Sequence, residues 1–556
     1  MNGFRIRLWA PMAGLLLAGA CGPSMAKVCF YEHAHYQGAH FCAERSDRAF
    51  TPLFWNDRIS SVKVFDGDAV RLHEHPFHQG RQLLIAADSP DLQTRGFNDL
   101  TSSFKVTEAG AGADAVVNLV TGGKMQPLDY LTVVGTAVLP PPIGQKVVSN
   151  GRLAPLGPDF LWGTAASGFQ SEGHAPDSNW LRYVNRNPQY DRYGDSIDFY
   201  SRYEADLQRA ADLGVKVFRI GIEWARIEPR PGVIDPAGLA FYDAVIDRIV
   251  SLGMRPMLTI DHWVYPGWML DKGGWNSPEM LGHWLSHARR VIDRYASRDP
   301  LWVTINEPTF YLNNEIRNGT LKHGDWRPMM KGLVAAHRAA YDHIHARQPG
   351  AMVSSNMAYI SGANAQLDEV FMDRIADKLD YIGIDYYYGL SPADLSSLSA
   401  LSYGNLSAIK LQPEGIYYAL RHYAERFPGR PLYIIENGMP TNNGARKDGQ
   451  KRGDALLDTV YWLQRAKADG MNLMGYNYWS LTDNYEWGSY SPRFGLYTVD
   501  VLNDPTLARV PTDAVEVYKR VIKDQGVKPG FKPGVAPQFC SLVDPPYSCL
   551  RPVAVP

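Results

Sequence analysis

The sequence predicts a multidomain protein in which a (β/α)8 TIM barrel follows a smaller all-β sandwich. Its 556 residues exceed what one hydrophobic core usually contains, so several domains are expected. Across residues 155–526, short apolar runs typical of buried strands alternate with amphipathic helical stretches. Residues 27–107 instead repeat one pattern of short strands and turns at a spacing of 42 residues, which favours an all-β domain.

The barrel prediction depends on eight strand candidates and on the helix boundaries between them. The candidates are residues 160–166, 215–224, 255–261, 301–307, 352–358, 381–387, 432–436 and 474–481. Helical stretches over 196–213 and 239–252 each end before a glycine, and Ser277 with Pro278 is a typical helix start. Active sites of such barrels lie at the C-terminal ends of the strands, so the residues there are the candidates for function.

Two glutamates stand at such strand ends. Glu436 follows the apolar run 432–435 and precedes Asn-Gly, and Glu307 follows the run 301–305 with one Asn between. If both strands belong to one barrel, the two carboxyl groups can flank a bond and divide acid and nucleophile work between them.

Polar and aromatic residues collect at the other strand ends and in the loop after the last strand. Eight aromatic residues lie between positions 476 and 497, a density that suits a pocket for sugar rings. Glu172 and Glu223 are equally well explained as salt-bridge partners, and Tyr386 and Phe494 as packing residues. The further candidates are Gln170, Arg219, His262, Trp263, Asn306, Tyr387, Trp479, Glu486 and Trp487.

Four motifs in order resemble glycoside hydrolase family 1, the family of retaining β-glucosidases and β-galactosidases. They are Phe-Leu-Trp-Gly-Thr-Ala-Ala at 160–166, Thr-Ile-Asn-Glu-Pro at 304–308, Ile-Glu-Asn-Gly at 435–438 and Trp-Ser-Leu-Thr-Asp-Asn-Tyr-Glu-Trp at 479–487. The resemblance covers about two thirds of the chain. It implies that Glu307 is the general acid/base and Glu436 the nucleophile.

The same resemblance assigns supporting roles around these two carboxyl groups. Arg219 should keep Glu436 ionised, Tyr387 should donate its hydroxyl to Glu436, and Asn306 should bind the sugar 2-hydroxyl. The residues implied to contact the rest of the sugar are Gln170, His262, Trp479, Glu486, Trp487 and Phe494.

Two positions refine the expected specificity and pH dependence. The family usually has Asn before the Tyr-Tyr pair, whereas this chain has Asp385, a carboxyl expected to raise the pKa of Glu436 or of Glu307 by repulsion. Glu486 would repel a phosphate, so neutral sugars are expected.

The expected function is a retaining β-glycosidase that removes terminal non-reducing neutral β-sugars, β-glucosides first and β-galactosides or β-fucosides next, without a cofactor for the chemistry. A transglycosylase of the same fold and a non-catalytic, calcium-stabilised carbohydrate-binding protein are the alternatives. The formal charge of −2 gives no electrostatic support for a nucleic-acid partner.

The repeat in the first domain resembles the βγ-crystallin Greek-key fold. Residues 31–38 align with 73–80, and 56–61 align with 98–103, where an Asn-Asp-x-x-Ser/Thr-Ser calcium motif is present twice; turn formation by the same residues is the alternative. That fold also has a hairpin motif with two aromatic residues. They are Tyr31 and Tyr36 in the first repeat, and His73 and His78 occupy their positions in the second. The implied calcium ligands are side chains of Asp57, Ser60, Asp99 and Ser102 and carbonyls of Glu32, Arg58, Glu74 and Leu100.

The N-terminus has the features expected of an export signal. Residues 1–26 have the charge and apolar pattern of a signal peptide, so a periplasmic or extracellular location is expected, with a lipid anchor on Cys21 as the alternative. No later segment has the length of a membrane span. Residues 108–154 are expected to be a linker and residues 527–556 a tail.

The remaining four cysteines form two local pairs in the sequence. Two disulfides are expected in an exported protein, one between Cys29 and Cys42 in the first domain and one between Cys540 and Cys549 in the tail. A zinc site shared by the two pairs is the alternative.

Overall fold

The computed structural model describes residues 28–43, 55, 57–65, 69–75, 79–85, 88–107, 152–361, 363–389 and 405–537. The chain divides into two compact units, residues 1–107 and 108–556. The predicted signal peptide with Cys21, most of the predicted linker, and the end of the tail lie outside the described residues.

The first unit is built from two small antiparallel sheets with the same strand order. β1 is the central strand between β2 and β3, and β4 is the central strand between β5 and β6. The strands are β1 (Val28–His33), β2 (Gln37–Ala43), β3 (Ser61–Val64), β4 (Ala69–His75), β5 (Gln79–Ile85) and β6 (Ser103–Thr107), with 3-10 turns at Ala34–Tyr36 and Gln93–Arg95. The matching order explains the sequence repeat, since each repeat supplies one central strand and its hairpin partner.

One of the two predicted disulfides is present, and the other falls where the structure describes nothing. Cys29 and Cys42 are directly opposite in the β1–β2 register, with their Cα atoms 4.0 Å apart, so the first predicted pairing is confirmed. The structure does not test the second predicted pairing, because Cys540 and Cys549 both lie outside the described residues. A disulfide between Cys540 and Cys549 therefore stays a prediction.

The two sheets of the first unit share one apolar core. Phe30 of β1 stacks on Phe41 of β2 with ring centroids 4.8 Å apart, and it also contacts Phe104 of β6 at 4.5 Å. Side chains from both repeats thus bury one another, which agrees with the predicted all-β domain.

The second unit contains a closed barrel of eight parallel strands, as predicted. Around the barrel the order is β10, β11, β12, β13, β14, β7, β8, β9. The strands are β7 (Leu161–Ala165), β8 (Val217–Gly221), β9 (Arg255–Asp261), β10 (Leu301–Asn306), β11 (Met352–Ala358), β12 (Ile382–Asp385), β13 (Leu432–Asn437) and β14 (Leu473–Tyr478).

Helices follow the strands and cover the outside of the barrel. The α-helices are α1 (Gly168–Ser171), α2 (Asn179–Arg186), α3 (Phe199–Asp212), α4 (Trp224–Ile227), α5 (Pro236–Ser251), α6 (Gly267–Asp271), α7 (Met280–Tyr295), α8 (Pro308–Arg317), α9 (Trp326–Arg347), α10 (Asn364–Val370), α11 (Gly415–Arg426), α12 (Arg452–Ala468) and α13 (Asp513–Asp524). Short 3-10 segments lie at Gly274–Asn276, Ala296–Arg298, His323–Asp325, Met372–Lys378 and Leu406–Ala408, and two-residue strands at Thr441–Asn442, Pro492–Arg493, Tyr497–Thr498 and Val510–Pro511.

The eight predicted strands are all present, but three of them end two or three residues earlier than predicted. The strand predicted over 215–224 ends at Gly221, because Glu223 is the residue before helix α4. The strand predicted over 381–387 ends at Asp385, and the last one ends at Tyr478 rather than at 481. In each case the apolar run continues past the strand into the loop that forms the pocket.

Apolar packing fills the barrel interior away from the pocket. Val217, Met257, Leu301, Tyr381 and Tyr433 form a buried cluster inside the barrel. The polar side chains lie at the other end of the barrel, near the C-terminal ends of the strands. Among the described residues, no helix has both the length and the apolar character needed to cross a membrane.

Candidate active site

The two predicted catalytic glutamates meet at the C-terminal end of the barrel. Glu307 directly follows β10 and precedes Pro308, the first residue of α8, and its φ of 36° lies in the left-handed region that a non-glycine residue rarely adopts. Glu436 lies near the end of β13 and is paired in register with Asp385 of β12. Both side chains are buried, and the charge of Glu436 acts on Glu307 across the pocket.

The strand end at Glu436 needs a glycine two residues later. A Cβ atom on Gly438 would lie 2.0 Å from the carbonyl oxygen of Trp479, so no side chain fits there. The Glu-Asn-Gly sequence thus lets β13 and the loop after β14 approach closely, which brings Trp479 beside the nucleophile candidate.

Two donors hold the carboxylate of Glu436. Arg219 on β8 forms an ion pair with Oε1, and the hydroxyl of Tyr387 donates to Oε2 at 2.6 Å. Both oxygens of the Glu436 carboxyl group therefore have a hydrogen-bond donor. The predicted contacts of Arg219 and Tyr387 with Glu436 are present.

Arg219 is fixed by further hydrogen bonds and is 1% exposed. Its Nε donates to Thr259 Oγ1 at 2.9 Å, and its Nη2 donates to Asn306 Oδ1 at 2.6 Å. Asn356 Nδ2 donates to the same oxygen of Asn306 at 2.7 Å. Because Oδ1 of Asn306 accepts both bonds, its Nδ2 faces away from them and has no hydrogen-bond partner in the part of the chain that the structure describes.

Glu307 has the environment of a group that keeps its proton. Burial raises the pKa of Glu307 well above its usual range, and the negative charges of Asp385 and Glu436 raise it further, while Arg219 opposes them. Burial and the charge of Glu436 likewise raise the pKa of Asp385. The sequence-based expectation that Asp385 acts on a catalytic carboxyl by repulsion therefore agrees with the electrostatics of the site.

The predicted sugar-binding residues surround these groups. Gln170 Nε2 donates to Glu486 Oε2 at 3.2 Å, and Trp479 Nε1 donates to Glu486 Oε1 at 3.3 Å, so three predicted residues form one hydrogen-bonded group. Burial raises the pKa of Glu486 to about 8, and the charge of Glu436 adds to this effect.

Aromatic rings enclose the other side of the pocket. Trp487 packs against Trp263 with centroids 4.7 Å apart and lies 5.8 Å from the imidazole of His262, which is in turn 6.0 Å from Trp479. Burial, with the nearby charge of Arg219, lowers the pKa of His262 far below its usual range, so its ring is neutral. His262 Nδ1 is another buried polar atom without a partner among the described residues.

Phe494 and Tyr386 are buried and make packing contacts, as one of the two explanations predicted. Phe494 is buried and meets Tyr387 edge to face at 5.4 Å, so it supports the tyrosine that holds Glu436. Tyr386 is buried, and its hydroxyl donates to the backbone carbonyl of Gln412.

Glu172 and Glu223 lie behind the pocket. Glu172 forms a buried ion pair with Arg226 and accepts from Tyr242, and Glu223 accepts from the backbone N–H of Phe169 at 2.9 Å. These contacts hold α1, the short helix that presents Gln170, which agrees with the salt-bridge explanation of Glu172.

Sequence reasoning missed Asn356 and Tyr388. Asn356 donates to both Asn306 and Asp385, and it comes from β11, a strand whose end carried no predicted site residue. Tyr388 is buried, and its pKa is raised by burial and by the charges of Glu486 and Glu307, so it faces both. Its position directly after the Tyr-Tyr pair was the available signal.

In the first unit, oxygen atoms of the two repeats approach one another. Ser60 Oγ lies 2.8 Å from the carbonyl oxygen of Glu32 and 3.2 Å from Asp99 Oδ1, and Ser102 Oγ lies 3.2 Å from Asp57 Oδ1. Each serine thus meets the aspartate of the other repeat. Side chains and carbonyls of this kind suit Ca²⁺. No group of three or more His, Cys, Asp or Glu side chains among the described residues is arranged to hold a metal.

The barrel and its pocket define a glycoside hydrolase. The family model named glycosyl hydrolase family 1 matches residues 154–361 and 347–527, which span about two thirds of the sequence. The chain therefore belongs to glycosyl hydrolase family 1, as its motifs predicted, and its relatives support a β-glycosidase.

Relatives in this family include hydrolases and a transferase. The chain is 27% identical over 445 residues to beta-glucosidase A of Thermotoga maritima, covering 66% of this chain and 98% of that protein. It is 28% identical over 370 residues to the galactolipid galactosyltransferase SFR2 of Arabidopsis thaliana, covering 59% of this chain and 58% of that protein. The solved structure of the family 1 β-glucosidase from Thermotoga maritima aligns with a TM-score of 0.59 at 25% identity, over 67% of this chain and 99% of that chain.

A second family model, peptidase inhibitor family I36, matches residues 21–85. The predicted crystallin resemblance of the first unit is not confirmed by these comparisons, and the two antiparallel sheets are what the structure shows.

Proposed function

We propose that this protein is a retaining β-glycosidase that removes a terminal non-reducing neutral β-sugar, with β-glucosides as the preferred substrates. The observation that carries the proposal is the contrast between the two buried glutamates. Glu436 is held by an ion pair from Arg219 and a hydrogen bond from Tyr387, whereas Glu307 has buried surroundings and negative neighbours that favour its proton. Such a pair supplies a nucleophile and a general acid at the same pH.

In the first step Glu307 gives its proton to the glycosidic oxygen while a carboxylate oxygen of Glu436 forms a bond to the anomeric carbon. The bond to the leaving group breaks, and a glycosyl ester of Glu436 remains. In the second step a water molecule gives a proton to Glu307, its oxygen bonds to the anomeric carbon, and the ester bond to Glu436 breaks. Two inversions give net retention.

Unpartnered donors in the pocket support sugar recognition. Asn306 Nδ2 faces away from its two partners, in a position suited to the 2-hydroxyl next to the anomeric carbon. His262 Nδ1 also has no partner among the described residues, whereas Gln170, Trp479 and Glu486 are hydrogen-bonded to one another and can exchange those bonds for bonds to the other hydroxyls. A buried polar atom that stays unpaired costs free energy, so Asn306 Nδ2 and His262 Nδ1 favour a polyhydroxylated ligand.

The expected preference for neutral sugars depends less on the charge of Glu486 than the sequence indicated. A carboxyl whose pKa is about 8 is largely uncharged at neutral pH, so Glu486 repels a phosphate less than the sequence alone indicates. Arg219, the cation beside the carboxyl pair, is committed to Glu436 and Asn306. A phosphorylated sugar would therefore depend on a cation from elsewhere.

Nitrophenyl β-glucoside hydrolysis tests the proposal. Wild type should release nitrophenol, Glu436→Ala should lose nearly all activity, and added azide should restore turnover with α-glucosyl azide as the product. Glu307→Ala with azide should instead give β-glucosyl azide. Glu516→Ala, which removes an 80% exposed glutamate, is the matched control and should keep wild-type activity. Equal activity of wild type and Glu436→Ala would refute the assignment.

The similarity to a galactosyltransferase favours transglycosylation as a second candidate. Here a sugar or alcohol replaces water in the second step, and its proton goes to Glu307. Product analysis with rising acceptor concentration distinguishes the two: transfer products that dominate at millimolar acceptor would indicate a transferase, and free glucose throughout would indicate a hydrolase. A chain inactive in both assays would leave carbohydrate binding as its role.

For the first unit we propose a stabilising role for calcium, supported by the oxygen atoms of Asp99, Ser60 and Glu32. Calcium should raise the melting temperature of the full-length protein relative to EDTA, and Asp99→Asn should remove that gain, whereas Asp91→Asn should keep it, since Asp91 accepts only from its own turn. An unchanged melting temperature would reject calcium.

The match of residues 21–85 to peptidase inhibitor family I36 also makes peptidase inhibition a candidate, testable against a panel of purified peptidases.

We propose that the protein is exported, with residues 1–26 removed. The Cys29–Cys42 disulfide supports an oxidising compartment. N-terminal sequencing of the processed protein should give Lys27; a lipid-modified Cys21 as the first residue would indicate membrane anchoring instead.

We also propose the second disulfide, between Cys540 and Cys549, on the strength of the same compartment. Peptide mapping of the unreduced protein by mass spectrometry should find the two residues in one cross-linked fragment. Free thiols at both positions, with Cys29 and Cys42 still oxidised, would reject the pairing.

A further inference from the structure

Asp385 is a third buried carboxyl beside the two glutamates, and the mechanism above does not use it. It is 1% exposed and ends β12, between β11 and β13. Asn356 donates to its Oδ2, and its carboxyl group interacts with that of Glu307. Its buried Oδ1 has no hydrogen-bond partner in the described part of the chain.

We propose that Asp385 is a positioning residue for Glu307, with which it shares one proton, so that Glu307 keeps its proton to higher pH and is a stronger base once that proton has left. This inference rests on the proposed acid/base role of Glu307. Asp385 acts through Glu307 and needs no contact with the sugar.

The contacts of the pair support this arrangement. The charged and titratable groups that face it are Arg219 from β8, Glu436 from β13, and Tyr387 and Tyr388 from the loop after β12. Arg219 is the cation among them, and it is paired with Glu436 rather than with Asp385. Among the described residues the Glu307–Asp385 pair therefore has no counter-ion of its own, and a shared proton is the way for two buried carboxyl groups to avoid two unpaired charges.

The charge balance of the reaction shows where Asp385 matters. Before the first step, Glu307 and Asp385 hold one proton between them, and Glu436 is the nucleophile. After it, Glu436 is an uncharged ester while Glu307 has lost its proton. In the glycosyl-enzyme, Asp385 is thus the negative neighbour that makes Glu307 a strong base towards water. Without it, Glu307 would give up its proton more readily and would take one from water less readily.

The pH profile of Asp385→Asn tests the proposal, because asparagine keeps the shape and removes the charge. With methyl β-glucoside, whose leaving group needs a proton, the alkaline limb of kcat/KM should move to lower pH by about 1 unit or more. With 2,4-dinitrophenyl β-glucoside, whose leaving group needs no proton, the rate of glycosylation should not fall at pH values above that limb. Asp261→Asn removes a buried carboxyl that accepts from Trp263 N and Trp284 Nε1, and should leave the limb in place.

The outcomes separate this inference from the proposed function. If Glu307→Gln removes the alkaline limb but Asp385→Asn leaves it unmoved, or lowers the rate equally at every pH, Asp385 has only a structural role and the inference is overturned. If Glu307→Gln keeps both limb and rate, the proposed acid itself is wrong.

A second measurement needs no change at Asp385. In wild type labelled with 13C at its carboxyl groups, the resonances of Glu307 and Asp385 should shift at one common midpoint, as expected for two groups that share a proton. In Glu307→Gln that step should be absent. An Asp385 resonance that ignores the titration of Glu307 would overturn the proposal.

Discussion

Tyr387→Phe should slow the second step of the proposed reaction more than the first. The tyrosine hydroxyl donates to Glu436 Oε2 at 2.6 Å, while Arg219 stays on the other oxygen. In the second step the carboxylate departs from the anomeric carbon and regains its charge, so the bond from Tyr387 strengthens as the transition state forms. A hydrogen bond to a charged group contributes about 1.5–3 kcal/mol, which corresponds to a decrease of about 10- to 150-fold in the rate of that step.

Stopped-flow measurements with 2,4-dinitrophenyl β-glucoside check this expectation. The variant should show a burst of dinitrophenol followed by a slow steady state, since the glycosyl-enzyme accumulates when its hydrolysis becomes limiting. Tyr386→Phe is the matched control, because its hydroxyl donates to the backbone carbonyl of Gln412 and not to the nucleophile. A loss of less than about threefold in kcat, or a loss of equal size in the control, would refute the reasoning.

Three further outcomes are expected. Asn306→Ala should lower kcat/KM about 100-fold for β-glucosides, in the range of an interaction made in the transition state, but should change little for 2-deoxyglucosides; equal losses for both would contradict the assignment of its free Nδ2. Glu486, with a pKa of about 8, is neutral below that pH and ionised above it, so KM of wild type should fall as pH rises through about 8 if sugar hydroxyls donate to the carboxylate. Glu486→Gln should remove this dependence, and an unchanged profile would exclude it. Reduction of the Cys29–Cys42 disulfide should destabilise the first unit by about 3 kcal/mol, measured as a lower first melting transition, with no loss of activity at 25 °C.

Much of the catalytic unit could be predicted because its signals are local. Val-Thr-Ile and Leu-Tyr-Ile-Ile are apolar runs of strand length, and a carboxyl at the end of each marks the C-terminal rim of a barrel. The contacts of Arg219 and Tyr387 with Glu436 were implied by the resemblance to glycoside hydrolase family 1 and not by the strand pattern. Boundaries were less certain, because an apolar run such as 474–481 continues into the loop when that loop is itself buried.

The first unit shows a different limit. Its repeat predicted two similar halves, and the structure has two sheets of identical strand order. Spacing alone did not show that Ser60 meets Asp99 of the other repeat, because that contact depends on how the sheets pair and not on position along the chain.

The spacing of residues in the sequence also could not identify the group that shares a proton with Glu307. Asn356 lies on β11, Asp385 ends β12 and Glu307 follows β10, and one amide group of Asn356 donates to both Asp385 and Asn306. The sequence indicated that Asp385 stood near the pocket, but whether it repelled Glu436 or bonded to Glu307 depended on which face of β12 its carboxyl occupied. Since Glu436 already has Arg219 and Tyr387, an added negative charge affects most the carboxyl that lacks a cation. That carboxyl is Glu307, which is why a single Asn-to-Asp difference in the sequence bears on the acid/base group more than on the nucleophile.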